Sequence, residues 1–212
     1  MAFLLRLKFY SLHILLGMLD FSSKKLRVFY RFLSIILCAL IVSVIGFFLV
    51  VSFYKRHVYP VKFQEEIEKC CKDYDLDKML VYSIINVESS FNTNAVSPKG
   101  AIGLMQILPS TAQFISVKLN VKDYDLKDPR TNIRFGCYYV RYLLNKYSQR
   151  DTAVCAYNAG EGKVNEWLKN ANYSKDGKTL YHVPYKETRE YLEKINKNYK
   201  RYTFLYNKIV DN

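Results

Sequence analysis

Residues Phe32 to Phe53 read FLSIILCALIVSVIGFFLVVSF, 22 residues without a single charge. As an α-helix this run measures ~33 Å, enough to cross the hydrocarbon core of a bilayer. It divides the chain into an N-terminal segment (1–31), a membrane anchor (32–54), a short linker (55–61) and a domain (62–212). A cleavable signal peptide has a shorter apolar region and a small-residue cleavage site. Lipid attachment at Cys38 is disfavoured by the bulky Leu37 before it. The reading is therefore one uncleaved transmembrane helix, with the cytoplasmic membrane as a partner through residues 32–54.

Charge alone gives the anchor little direction. Residues 1–31 carry six Lys or Arg, and five more (Lys55, Arg56, Lys62, Lys69, Lys72) follow the run closely. The excess before the run favours a cytoplasmic N-terminus only slightly. Residues 2–19 are apolar but interrupted by Arg6, Lys8 and His13, as in an amphipathic surface helix, and Met18 is an alternative start. The net charge of +13 favours anionic partners. The basic residues are dispersed among acids, and no nucleic-acid motif appears, so no nucleic-acid partner is expected.

Beyond Pro60 the apolar pattern has helical spacing, and strand-like alternation is scarce. Asp77 is placed to cap a helix that carries Leu80, Val81, Ile84, Ile85 and Val87. Pro109 and the Asp128-Pro129 pair open two more helices. Asp151 to Tyr157 and Glu161 to Leu168 read as short helices, with Gly160 between them as a C-cap. Residues 170–184 read as a loop or small hairpin, and Lys186 to Tyr206 as a final helix. The fold class is all-α. The five cysteines lack metal-ligand spacing and read as free thiols, and no metal or cofactor is implied.

The stretch from Val87 to Thr111, VESSFNTNAVSPKGAIGLMQILPST, carries the chemistry. Glu88 ends the apolar helix, and no other Asp or Glu occurs from Ser89 to Lys122. A lone carboxyl against apolar neighbours is desolvated, which raises its pKa toward the range of a general acid.

The runs E-S-S-F-N at Glu88 and A-V-S-P-K-G-A-I-G-L-M-Q-I-L-P-S-T-A from Ala95 resemble the soluble lytic transglycosylase (SLT) domain, a relative of goose-type lysozyme. Two later elements match in the same order, A-Y-N-A-G at Ala156 and P-Y-K-E-T-R-E-Y at Pro184. The resemblance covers roughly residues 62–200. It implies a lysozyme-like fold behind the anchor and peptidoglycan glycan strands as substrate, which puts the domain on the cell-wall side of the membrane.

The resemblance also implies roles. Glu88 is the catalytic acid. Ser97, Met105, Gln106, Tyr157, Asn158 and Glu187 line the cleft or bind sugar, with the Tyr157 hydroxyl orienting Glu88 or holding an N-acetyl group. Ser89 is either a second polar contact or a helix-end residue. Leu104, Ile107 and Leu108 read as core, and Arg189 and Tyr191 as structural. Asn92-Thr93-Asn94 departs from the family's usual Asn-Pro, which loosens that turn.

Most glycosidases use two carboxylates. Here the acids nearest in sequence after Glu88 are Asp123, Asp125 and Asp128, beyond a gap of 34 residues. The resemblance implies a substrate-assisted route in which Glu88 acts as acid and then base, leaving a 1,6-anhydroMurNAc end at the cut MurNAc–GlcNAc bond. Two alternatives stay open: a muramidase that installs water, with a loop acid holding it, and a non-catalytic module that recruits cell-wall or secretion machinery.

Overall fold

A computed structural model describes residues 24–206. The expectations for residues 2–19 and Met18 lie outside the described residues. The chain separates into two compact units, Met1–Phe53 and Tyr54–Asn212.

Among the described residues of the first unit one helix, α1 (Lys24–Phe53), contains the whole apolar run. Its large apolar side chains are exposed on every side, including the consecutive Phe47, Phe48, Leu49 and Val50. An amphipathic surface helix would show one apolar stripe. This one is apolar all round, and it is long and apolar enough to cross a membrane.

The second unit opens with a π-helical turn, Tyr54–Val58. Then come α2 (Gln64–Asp73), α3 (Lys78–Ser89), α4 (Pro109–Leu119), α5 (Pro129–Lys146), α6 (Arg150–Ala159), α7 (Glu161–Leu168) and α8 (Lys186–Tyr206). The helix starts follow their capping residues. Asp77 accepts from the Met79 amide at 2.7 Å, and Asp128 accepts from Thr131 at 2.8 Å. Pro109 and Pro129 occupy first turns, where a missing N–H costs nothing. Gly160, at φ 85°, ends α6 and opens α7.

Helix α3 packs chiefly on α8. Around this pair Ile67, Val81, Ile85, Leu104, Ile115, Ile133, Ile195 and Tyr202 are fully buried. A smaller apolar cluster joins α5, α6 and α7 through Leu143, Ala156, Val164 and Trp167. The four cysteines of this unit are free and buried, and the neighbouring Cys70 and Cys71 on α2 and burial drive the Cys137 thiol on α5 well up.

One expectation changes. Residues 55–61 are not a free linker. Tyr59 is buried against Tyr202 (ring centroids 5.5 Å apart), and Tyr206 donates to its carbonyl at 2.8 Å, so apolar burial pulls this stretch into the domain. Residues 170–184 form a loop without strands. Asp176 gathers it by accepting from the Lys178 and Thr179 amides at 2.8 and 2.7 Å, which holds its carboxyl well below the usual range.

Candidate active site

Glu88 stands one helical turn beyond Ile84 and Ile85, so it shares their buried face. The helix ends at once behind it. Ser90 and Phe91 both adopt left-handed conformations (φ 51° and 64°) and turn the chain sharply away. A phenylalanine in that region is a backbone outlier that needs compensation. Phe91 obtains it by burial, with its ring 6.3 Å from that of Tyr82. In the turn that follows, which carries Thr93, the Asn92 side chain accepts from the Asn94 amide at 3.0 Å.

Burial pushes the Glu88 carboxyl up to about 7, against a partial opposing pull from one hydrogen bond. That bond comes from Tyr191 on α8, whose hydroxyl donates to Oε1 at 2.6 Å. Among the described residues no donor meets Oε2, and no second carboxylate acts on the group. Near neutral pH such an acid carries a proton and can also surrender it. The Tyr191 hydroxyl is buried and its own pKa is driven well up, so it stays a neutral donor. Tyr191, read from the sequence as structural, is thus the residue in hydrogen-bond contact with the carboxyl.

Tyr157 lies close enough for the Glu88 charge to raise its pKa further, but its hydroxyl donates elsewhere, to the Met105 carbonyl at 2.7 Å. Beneath Tyr157 and Tyr191 lies an apolar bed of Leu80, Ile84, Val140 and Val154. Its void, about 10 Å³, is at the lower limit for a water molecule and offers one no polar partner. The carboxyl is thus flanked by two phenols and backed by hydrocarbon.

The segment from Ala101 to Leu108 is held against this site from three sides. Ser89 donates to the Leu104 carbonyl at 2.8 Å, and so ties the acid's own helix to the segment rather than contacting the carboxyl. Tyr157 holds the Met105 carbonyl. Asn132, completely buried on α5, accepts from the Met105 amide at 2.7 Å and donates to the carbonyls of Ile102 (2.9 Å) and Leu126 (2.7 Å). Gly103, at φ 80°, leaves room for that asparagine; a Cβ there would fall 2.8 Å from its Cγ.

The expected cleft residues separate into groups. The Met105 side chain is fully buried and packs on Gly136, so it fills the core rather than lining a cleft. Leu108, expected in the core, is 39% exposed. It sits at the N-cap of α4, two residues after Gln106, whose backbone is left-handed (φ 49°). The Gln106 amide nitrogen donates to the carbonyls of Gly103 (2.9 Å) and Ala95 (3.2 Å), while among the described residues its oxygen takes no donor. Ser97 closes a turn by accepting from the Ala101 amide at 3.0 Å. Asn158 accepts from Thr188 at 2.8 Å, joining the end of α6 to the start of α8. Glu187 is exposed and pairs with exposed Lys99 at 3.4 Å. Of the loop acids, Asp125 accepts from the Lys127 amide and Asp128 caps α5, so both are engaged in local structure.

The profile of the transglycosylase SLT domain matches residues 65–180. The soluble lytic murein transglycosylase of Salmonella typhimurium is 32% identical over 143 residues, 65% of this chain and 22% of that protein. Membrane-bound lytic murein transglycosylase C of Haemophilus ducreyi is 32% identical over 166 residues, 66% of this chain and 45% of that protein. Among solved structures, an inactive glutamate-to-glutamine mutant of the lytic transglycosylase Slt from Pseudomonas aeruginosa matches with TM-score 0.62 at 28% identity, covering 70% of this chain and 25% of that one. The 70 kDa soluble lytic transglycosylase of Escherichia coli matches with TM-score 0.61 at 28% identity, over 69% of this chain and 25% of that one. The chain therefore spans less than half the length of these relatives. The matched profile covers more than half of its 212 residues, and the chain belongs to the transglycosylase SLT domain family.

Proposed function

We propose that this chain is a peptidoglycan lytic transglycosylase that cleaves the β-1,4 bond between MurNAc and GlcNAc, with Glu88 as acid and then base. The observation that carries this reading is the state of Glu88: a desolvated carboxyl poised at about 7, with no second carboxylate acting on it. Retaining and inverting glycosidases of the usual kind place a partner carboxylate within about 10 Å. Here the substrate's own N-acetyl group takes that part.

Protonated Glu88 gives its proton to the glycosidic oxygen, and the bond from that oxygen to C1 of MurNAc breaks. The N-acetyl oxygen closes on C1 and carries the positive charge. Glu88, now a carboxylate held by Tyr191, removes the proton from the C6 hydroxyl of the same sugar. O6 then attacks C1, the bond to the N-acetyl oxygen opens, and a 1,6-anhydro ring remains. No water enters, and Glu88 ends protonated as it began. Gln106 and Asn158 supply amide groups for sugar contacts, and Glu187 reaches the glycan from the rim.

The exposed apolar surface of α1 supports membrane anchorage, and one relative bears the name of a membrane-bound enzyme. In this reading α1 spans the membrane once and the catalytic unit faces the wall.

The test is mass spectrometry of purified peptidoglycan digested by residues 54–212, beside Glu88→Gln. Muropeptides one water lighter than hydrolysed ones, absent with the variant, are the expected result. Products of full hydrolysed mass would instead identify a muramidase. Equal absence of products from both proteins would favour a recruiting module.

A further inference from the structure

One face of α8 takes part in neither the core nor the site. Glu193, Asn196, Lys197, Lys200, Arg201 and Phe204 recur along it at helical spacing and line a shallow, open groove. Phe204 is 78% exposed, the most exposed large apolar side chain among the described residues. Among those residues no carboxylate forms an ion pair with Lys197, Lys200 or Arg201. The face thus runs from an acid, through three unneutralised cations, to a bare aromatic ring.

The end of the face that carries Phe204 has a defined neighbour. The Tyr206 hydroxyl donates to the carbonyls of Lys55 (3.2 Å) and Tyr59 (2.8 Å), and Tyr202 donates to that of Pro60 (3.1 Å). The Lys55 ammonium sits 5.0 Å from the centre of the Tyr206 ring. Lys55 is only two residues beyond Phe53, where the apolar run ends. Two residues of chain span at most ~7 Å. The cations and the ring therefore lie on the helix that packs on residues 55–60, the stretch that follows the apolar run in sequence. Exposed Arg56 adds charge there.

We propose that this face of α8 is a lipid-docking surface, with Lys197, Lys200 and Arg201 on anionic headgroups and Phe204 in the headgroup boundary. The inference rests on the reading of α1 as a membrane anchor, because the anchor is what brings a bilayer to this end of the unit. The pairing of dispersed cations with one exposed aromatic suits a fluid anionic interface.

The experiment uses residues 54–212, which hold every buried core residue from Tyr59 to Tyr202 and form a compact unit. Their co-sedimentation is measured with vesicles of phosphatidylcholine containing one part in three of phosphatidylglycerol, and with phosphatidylcholine alone. Binding to the anionic vesicles only, weakened by salt, is expected. Each cation removed near such a surface lowers affinity on the order of fivefold, so K197E/K200E/R201E abolishes it and Phe204→Ser weakens it. Thermal melting establishes that the variants are folded. Equal sedimentation with neutral vesicles, no sedimentation with either, or undiminished binding by the triple variant would overturn the proposal. A triple variant that loses binding to purified cell wall but not to vesicles would also overturn it and make the face a wall-polymer site. Alkaline extraction of membranes containing the full chain reads the anchor separately, so failure of the anchor and failure of the docking face give different results.

Discussion

The Tyr191 hydroxyl donates to Oε1 of Glu88 at 2.6 Å, across 103 residues of chain. Two effects meet at that carboxyl. Removal from water favours its neutral form, and the phenol favours its charged form. The balance at about 7 is what an acid that must later serve as a base requires.

Tyr191→Phe keeps the ring and removes the donor, so the Glu88 carboxyl rises further. The basic limb of the pH–rate profile then moves to higher pH. At pH 7 the rate falls by roughly tenfold or more, the value of a hydrogen bond to a charged group. A purely structural role for Tyr191 would lower the melting temperature and leave both limbs of the profile in place, so the pH profile is the measurement that decides.

Glu88 also costs the fold stability, with a definite pH dependence. Its folded pKa of about 7 lies above the ordinary 4.5, so between these values the folded state holds more proton than the unfolded state. Stability attributable to this group is therefore lost as pH rises through that window, up to about 3 kcal/mol above it. Glu88→Gln removes the charge and keeps an oxygen for Tyr191. It is expected to raise the melting temperature at pH 8 and to change it little at pH 4. Calorimetric melts of both proteins at the two pH values test this, and equal shifts at both would refute it.

Much of this architecture was legible in the chain because its signals are local. Asp77, Pro109, Asp128 and Gly160 mark helix ends by their own backbone chemistry, and each does so in the fold. Glu88 stood out because no other acid lies near it in sequence. What stayed hidden depends on distant pairing or on backbone direction. Tyr191 is one of 19 tyrosines, and the P-Y-K-E-T-R-E-Y element that ends on it does not name a partner 103 residues away. Met105, which the resemblance set in the cleft, is buried, and Leu108, expected in the core, is exposed at the start of α4, because a short irregular run with Gln106 at φ 49° follows no regular period. Residues 55–61 look like a linker by composition, and only their contacts with α8 show that they belong to the domain.

Asn132 is a second residue whose weight the sequence concealed. Its side chain makes three hydrogen bonds to backbone groups that no other side chain satisfies as a set, the Met105 amide and the carbonyls of Ile102 and Leu126. Asn132→Ala leaves the Met105 amide and the Leu126 carbonyl unpaired in the interior, while the Ile102 carbonyl keeps the Ile107 amide, at a cost of about 2–4 kcal/mol. The segment carrying Gln106 loses its support from α5, so activity is expected to fall more steeply than the folded fraction. Asn132→Asp keeps one acceptor but forfeits the donors to two carbonyls, and should recover little. Activity measured at a temperature where each variant remains folded separates the positioning effect from simple unfolding.

Gly136 and Met105 offer a test of packing under the site. Gly136 lies on α5 directly against the Met105 side chain, and a Cβ there would approach the Met105 Cβ and Cε to 2.8 Å. Gly136→Ala therefore overpacks the contact, at a typical cost of about 1–3 kcal/mol. Met105→Ala alone opens a void in a fully buried place, at about 2–5 kcal/mol. The two losses have opposite causes, so the double variant should be less destabilised than their sum: the new methyl occupies part of the space vacated by the thioether. Recovery stays incomplete, because the Cβ of residue 105 remains too near. The Met105 carbonyl that receives the Tyr157 hydroxyl belongs to the same residue. Activity should therefore fall in Gly136→Ala as the segment is pushed outward, and return partly in the double variant. A double-mutant cycle on both melting and activity measures the coupling, and strictly additive effects would show that this contact does not position the site.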